Sequence, residues 1–133
     1  MASTSAQPTE DLADEQPLEP STAEDLPYLR FYHSAARRDK TLAIVRSIER
    51  SSDPGRYRSA LADVVMELTD SGLNYFFLRP LDLAKVNFVI KQSAHLGIGS
   101  VMRIMGPVVH NIIGKMDKQQ LLAVCGHIRS LMD

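Results

Sequence analysis

The sequence predicts an all-α fold, a four- or five-helix bundle behind a disordered acidic N-terminal tail, and three observations carry that expectation. From Leu26 onward aliphatic residues recur at steps of three and four, and no stretch alternates as a half-buried strand does. Helix breakers punctuate the periodic runs, at SSDPG (51–55), Gly72, Pro80 and Gly106-Pro107. Residues 1–26 carry three prolines, many small polar residues and almost nothing to bury, so apolar burial cannot offset their ordering entropy. With 133 residues, one domain is expected, over 27–133. Its core should be mainly aliphatic, since aromatic residues make up 6% of the chain and Trp is absent.

Taken in order, helix 1 is expected from Pro27, a residue suited to a first helical turn, to about Arg50, with Phe31, Ala35, Leu42, Val45 and Ile48 inward. The SSDPG run breaks it and places Ser52 or Asp53 to cap helix 2 ahead of Pro54. Helix 2 turns Tyr57, Leu61, Val64, Val65 and Leu68 inward and ends or bends at Gly72. The stretch LNYFFLRPLD (73–82) reads as a short helical turn or tight connection. There Pro80 biases Arg79 away from helix, and Tyr75, Phe76 and Phe77 plug one end of the core. Helix 3 runs from Leu81 to at least Met105, where Gly106-Pro107 should kink or break it, and a further piece reaches Met116. Asp117 with Gln120 forms a capping box that opens the last helix, whose inner side is Leu121, Val124, Ile128 and Leu131.

The third helix is the unusual one. Leu83, Val86, Ile90, Ala94, Gly97, Val101, Ile104, Val108 and Ile112 form one apolar stripe, and Phe88, Leu96, Met102, Met105, Val109 and Ile113 lie outside it. A helix apolar nearly all round is expected at the centre of its fold. Gly99 and Gly106 share a side with the flexible side chain of Met102, between His95 and His110. Each glycine costs about 1 kcal/mol of helix stability relative to alanine, which close approach of a helix or a ligand would offset. The series His95, Gly99, Met102, Gly106, Pro107 and His110 is therefore the candidate interaction surface or ligand cleft. In the alternative, Phe76, Phe77, Met102 and Met105 line a site for an acyl-chain-like molecule.

Charge divides the chain. The first 26 residues hold seven acids and no Lys or Arg, while the rest holds all 15 basic residues against nine acids, a formal +6. Arg37, Arg38, Arg46, Arg50, Arg56 and Arg58 make a basic surface, but they spread around the helix and match no nucleic-acid-binding motif, so a solvated outer face is expected. The tethered acidic tail stands at high effective concentration over that surface. A membrane-surface role draws on Lys91, Arg103 and Lys115 and on the lack of acids from 83 to 116, but these charges do not gather into one face. Arg103 splits the best candidate span into two runs of 11 residues, short of the ~20 a bilayer crossing needs.

No reaction is specified. Gly97-Ile98-Gly99 lacks a third glycine and a Walker lysine, Ser100 has no nucleophile-elbow context, and Asp63 with Glu67 reads as a solvated helix face. His95 and His110 stand about 22 Å apart along a straight helix, and Cys125 and His127 project to opposite sides, so no metal site or cofactor is expected. One cysteine, no basic-apolar signal and no arginine-rich transit segment make the cytoplasm the expected compartment. The function these features imply is a non-enzymatic helical interaction module, acting on a protein partner or as a homodimer through helix 3. The alternative is a carrier or sensor of a hydrophobic small molecule.

Overall fold

A computed structural model describes residues 27–29 and 31–132. It is all-α, with no strand among the described residues. The chain divides into a Met1–Arg30 unit and a Phe31–Asp133 unit. The expected tail disorder, and any contact of that tail with basic residues, lie outside the described residues.

Helix α1 (Ala35–Arg50) starts later than Pro27, because Ser34 supplies the cap: its Oγ accepts from the Arg37 backbone N–H at 3.1 Å. Phe31 therefore lies ahead of the helix, packed edge-on to Phe76 at 6.0 Å between ring centres, and Ala35 is exposed. Leu42, Val45 and Ile48 are buried as expected. At the SSDPG break, Asp53 stands at the cap position of a 3-10 turn (Pro54–Tyr57) but its side chain makes no cap bond, and Ser51 Oγ instead accepts the Asp53 N–H at 3.0 Å.

Helix α2 (Arg58–Leu73) passes through Gly72 without ending and widens into a π turn, Asn74–Leu78, which leads into the one-turn α3 (Arg79–Leu83). Arg79 is helical despite Pro80. Its N–H closes the π turn on the Asn74 carbonyl, so Pro80 enters the first turn of a new register, where a missing donor breaks nothing. The aromatics do not plug the core. Leu78 is the buried residue of this segment, whereas Phe76 and Phe77 are exposed.

The long third helix is interrupted where continuity was expected. Lys85 takes a left-handed φ of 53°, and Asn87 then caps α4 (Phe88–Gly114), accepting the Ile90 N–H at 3.0 Å. Further on, α4 runs unbroken through Gly106 and Pro107. Both Arg103 and Pro107 are exposed, so the carbonyl that loses its intrahelical donor is not trapped in the core. Helix α5 (Lys118–Met132) opens on the expected capping box: Asp117 N–H donates to Gln120 Oε1 and Gln120 N–H donates to Asp117 Oδ1, each at 2.9 Å. Leu121, Cys125 and Ile128 are buried on it, but Leu131 is exposed, past the point where α5 lies against the core.

The helices pack as two pairs, α2 with α4 and α1 with α5. The pairs share one core, made by Val45 and Ile48 from α1, Leu61, Ala62 and Val64 from α2, Ile113 from α4, and Leu121, Cys125 and Ile128 from α5. Arg58 fastens the corner where α4 ends, donating from Nε and Nη2 to the Met116 carbonyl at 3.0 and 2.8 Å. Helix α4 is therefore not central. It joins the core through its last turn and otherwise lies along one side of α2.

Candidate functional site

Two sides of α4 have opposite fates. Residues 98, 102, 105, 106, 109 and 113 share one side of the helix, which is half-buried or buried against α2. Ile90, Ala94, Gly97, Val101, Ile104, Val108 and Ile112 follow steps of three and four along a flank of α4 about 100° around the helix from it. The large members of that row stand bare, with Ile104 71% and Val108 53% exposed. The row is the stripe expected to face inward, shortened at its N-terminal end because Leu83 and Val86 precede α4. Composition could not separate the two sides, since both are apolar. Packing selected the one bearing Met102, Met105 and Gly106; the Met66 methyl lies 4.0 Å from where a Cβ on Gly106 would stand, ordinary contact distance, so the seam does not require a glycine there.

The candidate residues divide accordingly. Met102, Gly106 and His110 face α2, and His110 Nε2 lies 3.0 Å from Asp63 Oδ1. Gly99 is exposed, with nothing near the position of a Cβ, so no close approach among the described residues accounts for it. His95 is exposed one turn earlier, and Pro107 is exposed on another side of α4. Phe76 and Phe77 lie outside the α2–α4 seam that holds Met102 and Met105, so the four do not line one site. Asp63 and Glu67 are not simply solvated: Glu67 pairs with Lys40 at 2.8 Å, as Asp63 does with His110.

The six arginines do not act as one surface. Arg37 Nη1 donates to the Glu67 carbonyl at 2.7 Å and Ser71 Oγ at 2.8 Å, tying α1 to α2. Arg38 reaches the Met132 carbonyl at 3.3 Å, Arg56 stacks over Tyr57, and Arg58 holds the end of α4. Arg46 and Arg50 are exposed on α1.

A polar cleft of about 390 Å³ opens between the start of α1 and the π turn, with Arg37, Arg79, Asp70 and Tyr75 in its wall. Arg37 is already engaged there with the Glu67 carbonyl and Ser71 Oγ. A second cleft of about 300 Å³ lies between α1 and α2, beside Ile44, Val64 and Met66. Neither is lined by Phe76, Phe77, Met102 or Met105. No group of three or more His, Cys, Asp and Glu suited to a metal ion occurs among the described residues. The Cys125 thiol is pushed up to about 11, by burial first and by Glu49 second, so it is a poor nucleophile. What the described fold leaves exposed is the row of large apolar side chains on α4.

By length and composition α4 could cross a membrane, with a mean hydropathy of 1.3 over its best window. Its inner side is occupied by α2, and Arg103 stands near its middle, where a charge in a bilayer costs about 2.5–3.5 kcal/mol or more. Comparison with family models, curated proteins and solved structures finds no match.

Proposed function

We propose that this chain is a non-enzymatic helical association module that binds another protein surface through the outer side of α4. One observation carries the reading: a charge-free row from Ile90 to Ile112 whose large members the fold leaves exposed, with Ala94 half-buried, while another side of the same helix is packed. The row is about 33 Å long and ~10 Å wide, a footprint of roughly 330 Å², within the range of the largest apolar patch on a typical monomer, which is often functional. The buried, unreactive thiol of Cys125 and the single cysteine fit a reducing, cytoplasmic setting.

Photo-crosslinking in the expressing cells tests this reading. With p-benzoylphenylalanine replacing Ile104, illumination should give a discrete protein adduct, whereas the same group at exposed Gln119 on α5 should give none. Absence of an adduct at 104, or equal labelling from both positions, would overturn the reading.

A further inference from the structure

Resting on that reading, we infer that the partner of α4 is a second copy of this chain, paired antiparallel about a two-fold axis at Val101. The order of side-chain sizes along the bare row carries the inference. Read from its N-terminal end, the row is large at Ile90, small at Ala94 and Gly97, then large at Val101, Ile104, Val108 and Ile112. Laid against its own reverse, each small position meets a large one. Ala94 receives Val108 of the partner subunit, Gly97 receives Ile104 of the partner subunit, Ile90 meets Ile112 of the partner subunit, and Val101 meets its own copy. This register also overlaps the whole row, and side chains in notches reach the close packing that gives dispersion its strength.

Parallel pairing lacks these features. It would set Gly97 opposite Gly97 and leave a void at that level. The antiparallel register aligns the two helix dipoles favourably. The surface is open to a copy. Helix α2 packs about 100° around α4 from the row, and Lys91, 2.6 Å from Asp82, holds α3 on the α2 side. A two-fold contact of one surface with itself closes at the dimer and does not propagate. At roughly 330 Å² per copy the contact is smaller than a standard specific interface, which implies weak, reversible pairing.

Disulfide trapping of the full chain tests both partner and register. Under copper-phenanthroline oxidation, Val101→Cys should give a covalent dimer at least about ten times faster than Gln119→Cys, with Cα atoms near the spacing a disulfide needs. Ile90→Cys alone should dimerise slowly, because its copies lie about 33 Å apart, whereas Ile90→Cys mixed with Ile112→Cys should join quickly. Wild type, whose one cysteine is buried, is the control. Gly97→Leu should fill the notch and weaken the dimer at least about tenfold in sedimentation, while Gly99→Leu, off the row, should leave it unchanged.

Equal trapping at Ile90 and Val101 would mean a parallel pair and overturn the register. A monomer at all concentrations with no trapping at Val101 would overturn the second copy as partner. If the Ile104 photoadduct then has a mass other than twice the chain, the association reading survives without this inference. Flotation of the full chain with phosphatidylcholine–phosphatidylglycerol vesicles, without trapping, would make a bilayer the occupant and overturn the inference.

Discussion

Thr41 and Cys125 show how individual side chains are placed in this core. Thr41 is fully buried on α1, and its Oγ1 has no hydrogen-bond partner among the described residues. An unpaired buried hydroxyl costs about 1–3 kcal/mol, and valine has the same shape without it. Thr41→Val should therefore raise unfolding free energy by about 1 kcal/mol in urea titration, and a loss of stability would show that the hydroxyl is satisfied. Cys125 gives a pH prediction. Its thiol is raised from 9.0 to about 11, chiefly by burial, so the folded state holds that proton more tightly than the unfolded chain. Its contribution to stability is complete below about pH 9 and is lost as pH rises toward 11. At pH 8 the native thiol carries about a hundredfold less thiolate than a free one, so iodoacetamide should label it at least that much more slowly than in urea. Rapid native labelling would contradict the buried position.

At the level of elements, the caps explain where the expected boundaries held and failed. The Asp117–Gln120 box was legible because both residues are of the capping type at the required spacing. Asn87 has the same chemistry ahead of an apolar run, and that signal could have located the start of α4. Ser34 could likewise have corrected the start of α1, where Pro27 and Phe31 suggested an earlier one. Pro107 misled because proline lowers helix stability without forbidding a helix whose affected carbonyl is exposed. The left-handed Lys85 carries no compositional signal. Gly99 gives the prediction at this scale. It is helical, exposed and open where a Cβ would stand, so Gly99→Ala should stabilise the chain by about 0.5–1 kcal/mol in thermal or urea unfolding. Destabilisation would mean that something approaches Gly99 closely.

For the whole molecule, fold class and most core residues followed from periodicity, because Val45, Ile48, Leu61, Val64, Leu121 and Ile128 all point where the helical pattern sends them. The position of α4 did not follow. A helix with two apolar sides satisfies the central and the peripheral placement equally until its neighbours are known, and here α2 takes one side and no helix of the described chain covers the other. The same ambiguity placed the candidate site on His95, Gly99, Met102, Gly106 and His110, whereas the bare row begins about half a turn away. Ile104 stands at the middle of that row, so a charge there opposes association while leaving the core untouched. Each copy should lose about 1.5 kcal/mol of burial, so Ile104→Lys should weaken a two-fold dimer by at least about 100-fold. The most direct test is sedimentation velocity of wild type and Ile104→Lys from low micromolar to several hundred micromolar. A wild-type shift from monomer to dimer that Ile104→Lys abolishes, with urea stability unchanged, is the predicted result; a monomeric wild type, or a dimer indifferent to Ile104→Lys, would contradict self-association through α4.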